Sequence, residues 1–276
     1  MNNQLNLFVS KKCDDSEANS ILSWNMNGIT KRLSLLQEII ASHKPSIICL
    51  QEIRCSEQKF PFEFFEENEY NVKINSFDGK NGVAIASKGM LENVHTISQS
   101  LHHKDGRSLT FKTKGYIVIN IYAPNCIDVF SEKFKTKIEW YRSLYRECRD
   151  LKHQGLPILL AGDFNLVPTR QYAEASCLEK YPGFLCQELT AAWNGFLALG
   201  FQLLDSNAAK YTWWSYQENS YFRDVGMKID FVLKLPVKDY QNNENIDYFI
   251  LAEIRSKKET SDHAPILLNL SQKGCE

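Results

Sequence analysis

Five apolar runs of this chain stop abruptly in amides, acids or a phenol rather than in ordinary turn residues. Residues 21–24 lead into Asn25 and Asn27, which stand two apart and so share one face of an extended chain. Residues 46–50 lead through Gln51 into Glu52, and residues 119–121 lead into Tyr122 and, past a proline, Asn125. Residues 159–162 lead into Asp163 and Asn165, while Asp262 and His263 immediately precede the apolar run 264–268. A fourth acid, Asp230, lies inside the apolar run 228–232. Singly, these are unremarkable, because Asn and Asp side chains bond the following backbone and tolerate left-handed φ. Together they make one chemical kit. Carboxylates and amide oxygens, without thiolate or histidine clusters, suit a hard oxygen-seeking cation such as Mg²⁺. Amide and phenol donors suit phosphate oxygens whose charge grows in a transition state. An aspartate can orient or deprotonate a water, and a histidine backed by a second aspartate can donate to phosphate. The kit reads as metal-assisted phosphodiester hydrolysis.

Such groups need a rigid frame. Short β-rich runs recur at residues 21–25, 46–50, 82–87, 108–112, 116–122, 157–162, 211–215, 228–233, 248–254 and 265–270. Several are continuously apolar, as strands buried on both faces should be. Helical spacing appears at 33–43, where positions 33, 36, 39 and 40 share a face, and again at 185–199. A third helix spans 131–152, with Phe134, Ile138, Tyr141, Tyr145 and Cys148 on one face and Lys133, Lys135, Lys137, Arg142, Arg146 and Arg149 at the other positions. About ten strands with helices between and after them predict one α+β domain over residues 19–276, two packed sheets covered by helices. Residues 1–18 are polar without sustained period and read as a loose leader.

Composition narrows the class. The 276 residues are 43% hydrophobic, with 32 basic against 33 acidic side chains and a formal charge of −1. That excludes a disordered chain and a strongly basic protein that coats DNA. No apolar stretch approaches the roughly 20 residues of a membrane span. The eight cysteines form no CxxC pair and no zinc spacing, and the first residues carry no export signal. Free thiols in such a chain predict a reducing, cytoplasmic setting.

At the residues of the kit the sequence resembles the exonuclease III type of abasic-site (AP) DNA endonucleases, within the endonuclease/exonuclease/phosphatase superfamily. The matching segments run in order from Ser23-Trp24-Asn25-Met26-Asn27-Gly28 through Gln51-Glu52-Ile53-Arg54-Cys55-Ser56-Glu57, Tyr122-Ala123-Pro124-Asn125, Gly162-Asp163-Phe164-Asn165, Tyr211-Thr212-Trp213-Trp214-Ser215 and Lys228-Ile229-Asp230 to Ser261-Asp262-His263-Ala264-Pro265. The resemblance implies a four-layer α/β/β/α sandwich with the site at one end of two packed mixed sheets. It implies Glu52 as principal metal ligand, with Asn27 and Asp262 nearby, for Mg²⁺ or a substituting Mn²⁺. Asn25, Tyr122, Asn165 and His263 would contact phosphate, Asp163 would orient or activate water, Asp230 would partner His263, and Asn125 would organise the site. Arg54 and Arg107 would touch DNA, and Trp213, Met227 and Ile229 would form an apolar slot for a sugar lacking its base. The implied partner is double-stranded DNA with abasic sites or blocked 3′ ends, cut by a monomer. Two other readings stand beside it: a less selective nuclease or phosphatase of the same superfamily, and a DNA-binding module without turnover. The second requires a lost ligand, and every member of the kit is present.

Overall fold

A computed structural model describes residues 19–77, 79–94, 105–205, 211–237 and 244–272; the leader read at residues 1–18 lies outside them. The first sheet contains β1 (Asn19–Asn25), β2 (Ile47–Gln51), β3 (Asn71–Asn75), β4 (Val83–Ser87), β11 (Glu244–Ile250) and β12 (Ile266–Gln272), in the order β11-β12-β1-β2-β4-β3. The second contains β5 (Glu92–Asn93), β6 (Ser108–Thr113), β7 (Tyr116–Tyr122), β8 (Ile158–Asp163), β9 (Gln202–Leu203) and β10 (Asp230–Leu235), in the order β5-β6-β7-β8-β10-β9. Helices α1 (Leu33–His43) and α2 (Phe62–Glu67) cover the first sheet, and α3 (Glu132–Leu151) and α5 (Gln187–Leu199) the second. The short α4 (Ala175–Lys180) lies beside the site.

Alternation along each strand produces three apolar layers. Leu22, Trp24, Ile48 and Leu50 face α1 and α2, where Leu36, Ile40 and Phe65 meet them. Ile21, Ile47 and Cys49 point the other way, against Val118, Leu159 and Val232 of the second sheet. Ile117, Ile119, Ile121 and Leu160 then pack under Tyr141, Leu144 and Phe196 of α3 and α5. Each such fully buried Ile or Leu contributes about 1.5–3 kcal/mol, so strands apolar on both faces are drawn to the middle of the stack. The result is the four-layer α/β/β/α sandwich.

Each sheet carries one parallel pair at its centre, β1 with β2 and β7 with β8. Parallel neighbours need a crossover, and α1 and α3 supply it. Helix α3 starts where the Ser131 hydroxyl accepts the Phe134 N–H at 3.3 Å, and Lys44 closes α1 in left-handed conformation. Because both strands of a pair run the same way, their carboxyl ends emerge at one rim, where ligand sites form in open α/β sheets. The rim therefore carries Asn25, Gln51-Glu52, Tyr122 and Asp163. The antiparallel neighbours β10 and β12 begin at that rim, which adds Asp230 and His263.

Two strand readings change. Residues 211–215 form no strand; Trp213 makes single bridges to Met227 and His263, and the ladder stops because the Trp214 N–H turns to the Asp262 carbonyl at 3.1 Å. The run read at 248–254 starts at Glu244 and ends at Ile250, where a 3₁₀ turn, Ala252–Ser256, buries Ile254 against the first sheet. One side chain also changes face: Lys137, read on the polar side of its helix, has no exposed surface.

Candidate active site

Strand ends at this rim are turned sharply. Gly162 has φ +138°, and a Cβ there would lie 2.0 Å from the Ile121 carbonyl, so only glycine admits the bend that aims Asp163. Asn27, Glu52, Arg54 and Asn165 all adopt left-handed φ between 47° and 53°. Asparagine tolerates this, but glutamate and arginine are each strained there by about 1–2 kcal/mol. Main-chain bonds hold the strained turn: Gly28 N–H to Glu52 O at 2.8 Å and Ile29 N–H to Ile53 O at 3.0 Å from one side, and Arg54 N–H to Asn81 O at 3.1 Å on the other. Its effect is to turn the Glu52 carboxylate inward.

Asp163 is 1% exposed. Its Oδ2 accepts from the Asn25 amide at 2.9 Å and the Asn165 amide at 3.2 Å, and its Oδ1 from the Asn165 N–H at 2.8 Å. The register sets Asp230 directly opposite it, an arrangement that repels like charges. His263 relieves this. Its Nδ1 lies 2.8 Å from Asp230 Oδ2 and its Nε2 3.9 Å from Asp163 Oδ2. Thr212 fixes the acid by donating to the same Asp230 oxygen at 2.6 Å. Burial works against charge on His263, but Asp230, then Asp163 and Asp262, outweigh it and raise its pKa, so it carries its proton at neutral pH. Burial, with Asp230, raises the Asp163 carboxyl above the usual range, against the pull of His263 and the two amides. Burial, then the charges of Glu52 and Asp163, hold the Tyr122 phenol protonated and able to donate.

Tyr122, Asp163 and His263 wall a cavity of about 220 Å³, together with Asn27, Glu52, Arg54, Asn125, Asn165, Trp213, Ile229 and Asp262. Glu52 offers one oxygen to Arg54 and the other to the Asn25 amide at 3.1 Å. Asp262 accepts from the Asn27 amide at 3.0 Å and from the Trp213 indole at 2.9 Å, which ties an acid to the aromatic wall. A carboxylate has about four lone-pair sites, so each of these retains acceptor capacity. Oxygen donors of this kind fit a hard divalent cation. Asp163, Asp230 and His263, with ligand atoms all within 4.8 Å of one another, are a second buried group compatible with a metal. The Asp230–His263 bond already engages two of those three ligands, whereas Glu52 and Asp262 face the cavity directly.

Four of the residues that the resemblance named are placed as follows. Asn25 is wholly buried and bridges Glu52 to Asp163; both of its amide hydrogens are engaged, and it does not line the cavity. Met227 is also wholly buried and packs behind the wall with Val167, Cys177, Phe184 and Ile229. Arg54 faces the cavity, with its guanidinium on Glu52. Arg107 lies over the Tyr122 ring at 4.9 Å and donates to the Tyr122 carbonyl at 3.3 Å. Tyr181 and Phe184 were missed. Both line the cavity, and Tyr181 meets Trp213 edge-on at 5.5 Å. Aromatics in a helix-rich stretch read as core, and only the Pro182-Gly183 break beside them hinted otherwise.

Asp230→Asn leaves the shape of the site but replaces a charge at Nδ1 with an amide, which lets the ring lose its proton or turn. The expected result is a fall in kcat of about 10²-fold with KM nearly unchanged, measured by steady-state cleavage of labelled substrate.

Comparison with known proteins agrees with this geometry. The profile described as the Endonuclease/Exonuclease/phosphatase family matches residues 22–263. The exodeoxyribonuclease III of Haemophilus influenzae is 28% identical over 269 residues, covering 89% of this chain and 97% of its own. Among solved structures, an AP endonuclease from Archaeoglobus fulgidus superposes with a TM-score of 0.82 at 27% identity, over 90% of this chain and 98% of its own. A Neisseria 3′ phosphatase bound to product DNA hairpin gives the same TM-score at 26% identity, over 92% and 100%. The chain belongs to the endonuclease/exonuclease/phosphatase family.

Proposed function

We propose that the protein is a Mg²⁺-dependent DNA repair nuclease that hydrolyses the phosphodiester 5′ to an abasic site and clears blocked 3′ ends, with 3′→5′ exonuclease activity on duplex DNA. The observation that carries the reading is that one enclosure of about 220 Å³ joins the hydrolytic groups to an apolar wall of Trp213, Ile229, Tyr181 and Phe184. Such a slot admits a bare sugar and clashes with a flipped nucleotide that keeps its base. The names of the relatives, an exodeoxyribonuclease III, an AP endonuclease and a 3′ phosphatase, support the same substrate chemistry.

Glu52 and Asp262, with Asn27 beside them, would hold the cation, which when bound polarises a phosphate oxygen and offsets charge in the transition state. The other steps fall to the chain. His263, protonated and oriented by Asp230, donates from Nε2 to a non-bridging phosphate oxygen. Tyr122 donates its phenol proton to another. Asp163, gripped by Asn25 and Asn165, accepts a hydrogen bond from the attacking water and aligns it with phosphorus. Asn125 and the basic Arg54 and Arg107 sit at the rim for backbone phosphates. The free cysteines among the described residues suit a reducing, cytoplasmic setting, and no helix among those residues is long and apolar enough to cross a membrane. We read the active species as a monomer.

The test is a duplex carrying one tetrahydrofuran abasic analogue. Incision on its 5′ side, leaving a 3′-hydroxyl, requires Mg²⁺ and is absent from an Asp163→Asn preparation purified in parallel. Absence of Mg²⁺-dependent incision by the unaltered protein refutes the proposal. Cleavage of undamaged duplex at a comparable rate replaces it with a less selective nuclease.

A further inference from the structure

Lys137 lies on the buried side of α3 with no exposed surface, where lysine is seldom found unless paired. Its ammonium donates to two main-chain carbonyls, Asn165 O at 2.7 Å and Gly183 O at 3.0 Å, and lies 5.1 Å over the Phe184 ring. Burial lowers its pKa, against the opposing influence of Cys126 and then of Asp163, whose carboxylate oxygens take hydrogen bonds from Asn25 and Asn165. Burying an ammonium costs several kcal/mol, which two hydrogen bonds to neutral carbonyls only about offset, while removing it would leave both carbonyls without that donor. Stability alone does not account for a lysine here.

The two carbonyls belong to different walls of the cavity. Asn165 closes the left-handed turn that grips Asp163 from the front through its N–H and amide. One helical turn after Lys137, Tyr141 donates to the Phe164 carbonyl, so α3 holds the same turn from behind at two successive peptides. Gly183 lies between Tyr181 and Phe184, which line the slot. Its backbone is wedged so tightly that a Cβ would stand 2.0 Å from the Cys126 carbonyl. A strand-like bond, Val167 N–H to Phe184 O at 2.7 Å, joins the two segments on their far side.

We propose that Lys137 is a positioning residue that locks the Asp163–Asn165 turn to the Tyr181–Phe184 wall, so that water alignment and the fit of the sugar are set by one buried ammonium. This rests on the function proposed above. The lock makes selectivity and turnover inseparable: loosening it lets the slot accept a poorer fit while Asp163 loses its aim.

The test compares the full-length protein with Lys137→Met, which keeps length and removes the charge. The expected result is a Tm lowered by a few degrees with folding intact, a fall in kcat of about 10- to 100-fold on the tetrahydrofuran duplex, and at least a tenfold loss of preference over undamaged duplex. Amide hydrogen exchange, read without substrate, quickens at residues 163–167 and 181–185 together and stays unchanged in β1 and β2. Combining Lys137→Met with Tyr181→Ala costs no further selectivity beyond the larger single effect. Activity and selectivity within twofold of the parent overturn the proposal. So does failure of Lys137→Met to fold, or additive selectivity losses. A parent that does not cut at all refutes the function instead, and hydrogen exchange still decides the lock.

Discussion

His263→Ala lowers kcat by about 10³- to 10⁴-fold and leaves KM within a few-fold. The reason is that one ring performs two tasks. It brings a donor and a positive charge to the phosphate through Nε2, and it separates Asp163 from Asp230, which the register sets opposite each other. Losing a preorganised donor alone costs about 10²- to 10³-fold, and the unshielded acid pair adds to that by raising the Asp163 pKa further. The figure corresponds to about 4–5.5 kcal/mol of transition-state stabilisation. Folding survives, because the main chain of residue 263 keeps its bonds: the Trp24 indole still reaches its carbonyl at 3.0 Å. Single-turnover cleavage of the abasic duplex measures the loss. A rate within tenfold of the parent removes His263 from the chemistry.

Glu52→Gln is expected to act through the cation instead. The Mg²⁺ concentration for half-maximal rate rises by about 10- to 100-fold, and saturating metal restores part of kcat. The substitution preserves the shape of a strained turn whose purpose is to aim this one side chain, and it leaves the Asn25 bridge an oxygen to donate to. It removes the charge that Arg54 uses and that a cation there would use. Calorimetric titration with Mg²⁺ reads the affinity directly, without turnover. If the titration is unchanged while kcat falls, Glu52 binds no cation and the metal belongs to the Asp163–Asp230–His263 group.

Chemistry was more legible in the sequence than packing. Asn25, Glu52, Tyr122, Asp163 and His263 could be found because polar groups at the ends of apolar runs break the pattern locally, and the pattern is periodic. The sandwich followed from strands apolar on both faces. The edge strand β3 was missed because its residues alternate polar and half-buried, with too little apolar contrast to register. Residues 211–215 looked like a strand because Tyr, Thr and Trp favour one, yet their hydrogen bonds are divided among Met227, Asp262 and the acid Asp230. Asn120 and Gln51 escaped for a related reason. Fully buried, they bond each other at 2.7 Å across the gap between the sheets, and Asn120 donates on to the Leu50 and Ala84 carbonyls at 2.9 and 2.8 Å. Partners so distant in sequence leave no local trace. Lys137 shows the limit of periodicity: its helix has a clear apolar stripe, but the loops packed against α3 supply carbonyls that draw a lysine inside.

The strand order has a consequence for when the enzyme can first act. Strand β12 lies between β11 and β1, and the residues just before it bring Asp262 and His263 to the rim. Strand β1 therefore keeps one edge unpaired until residues 266–272 have been synthesised, and the strands of the second sheet are made in the interval. A growing chain that already displays Asn25, Glu52 and Asp163 still lacks its imidazole. The nuclease is thus disarmed until the segment that carries Asp262, His263 and β12 has been made, and it arms itself with that strand.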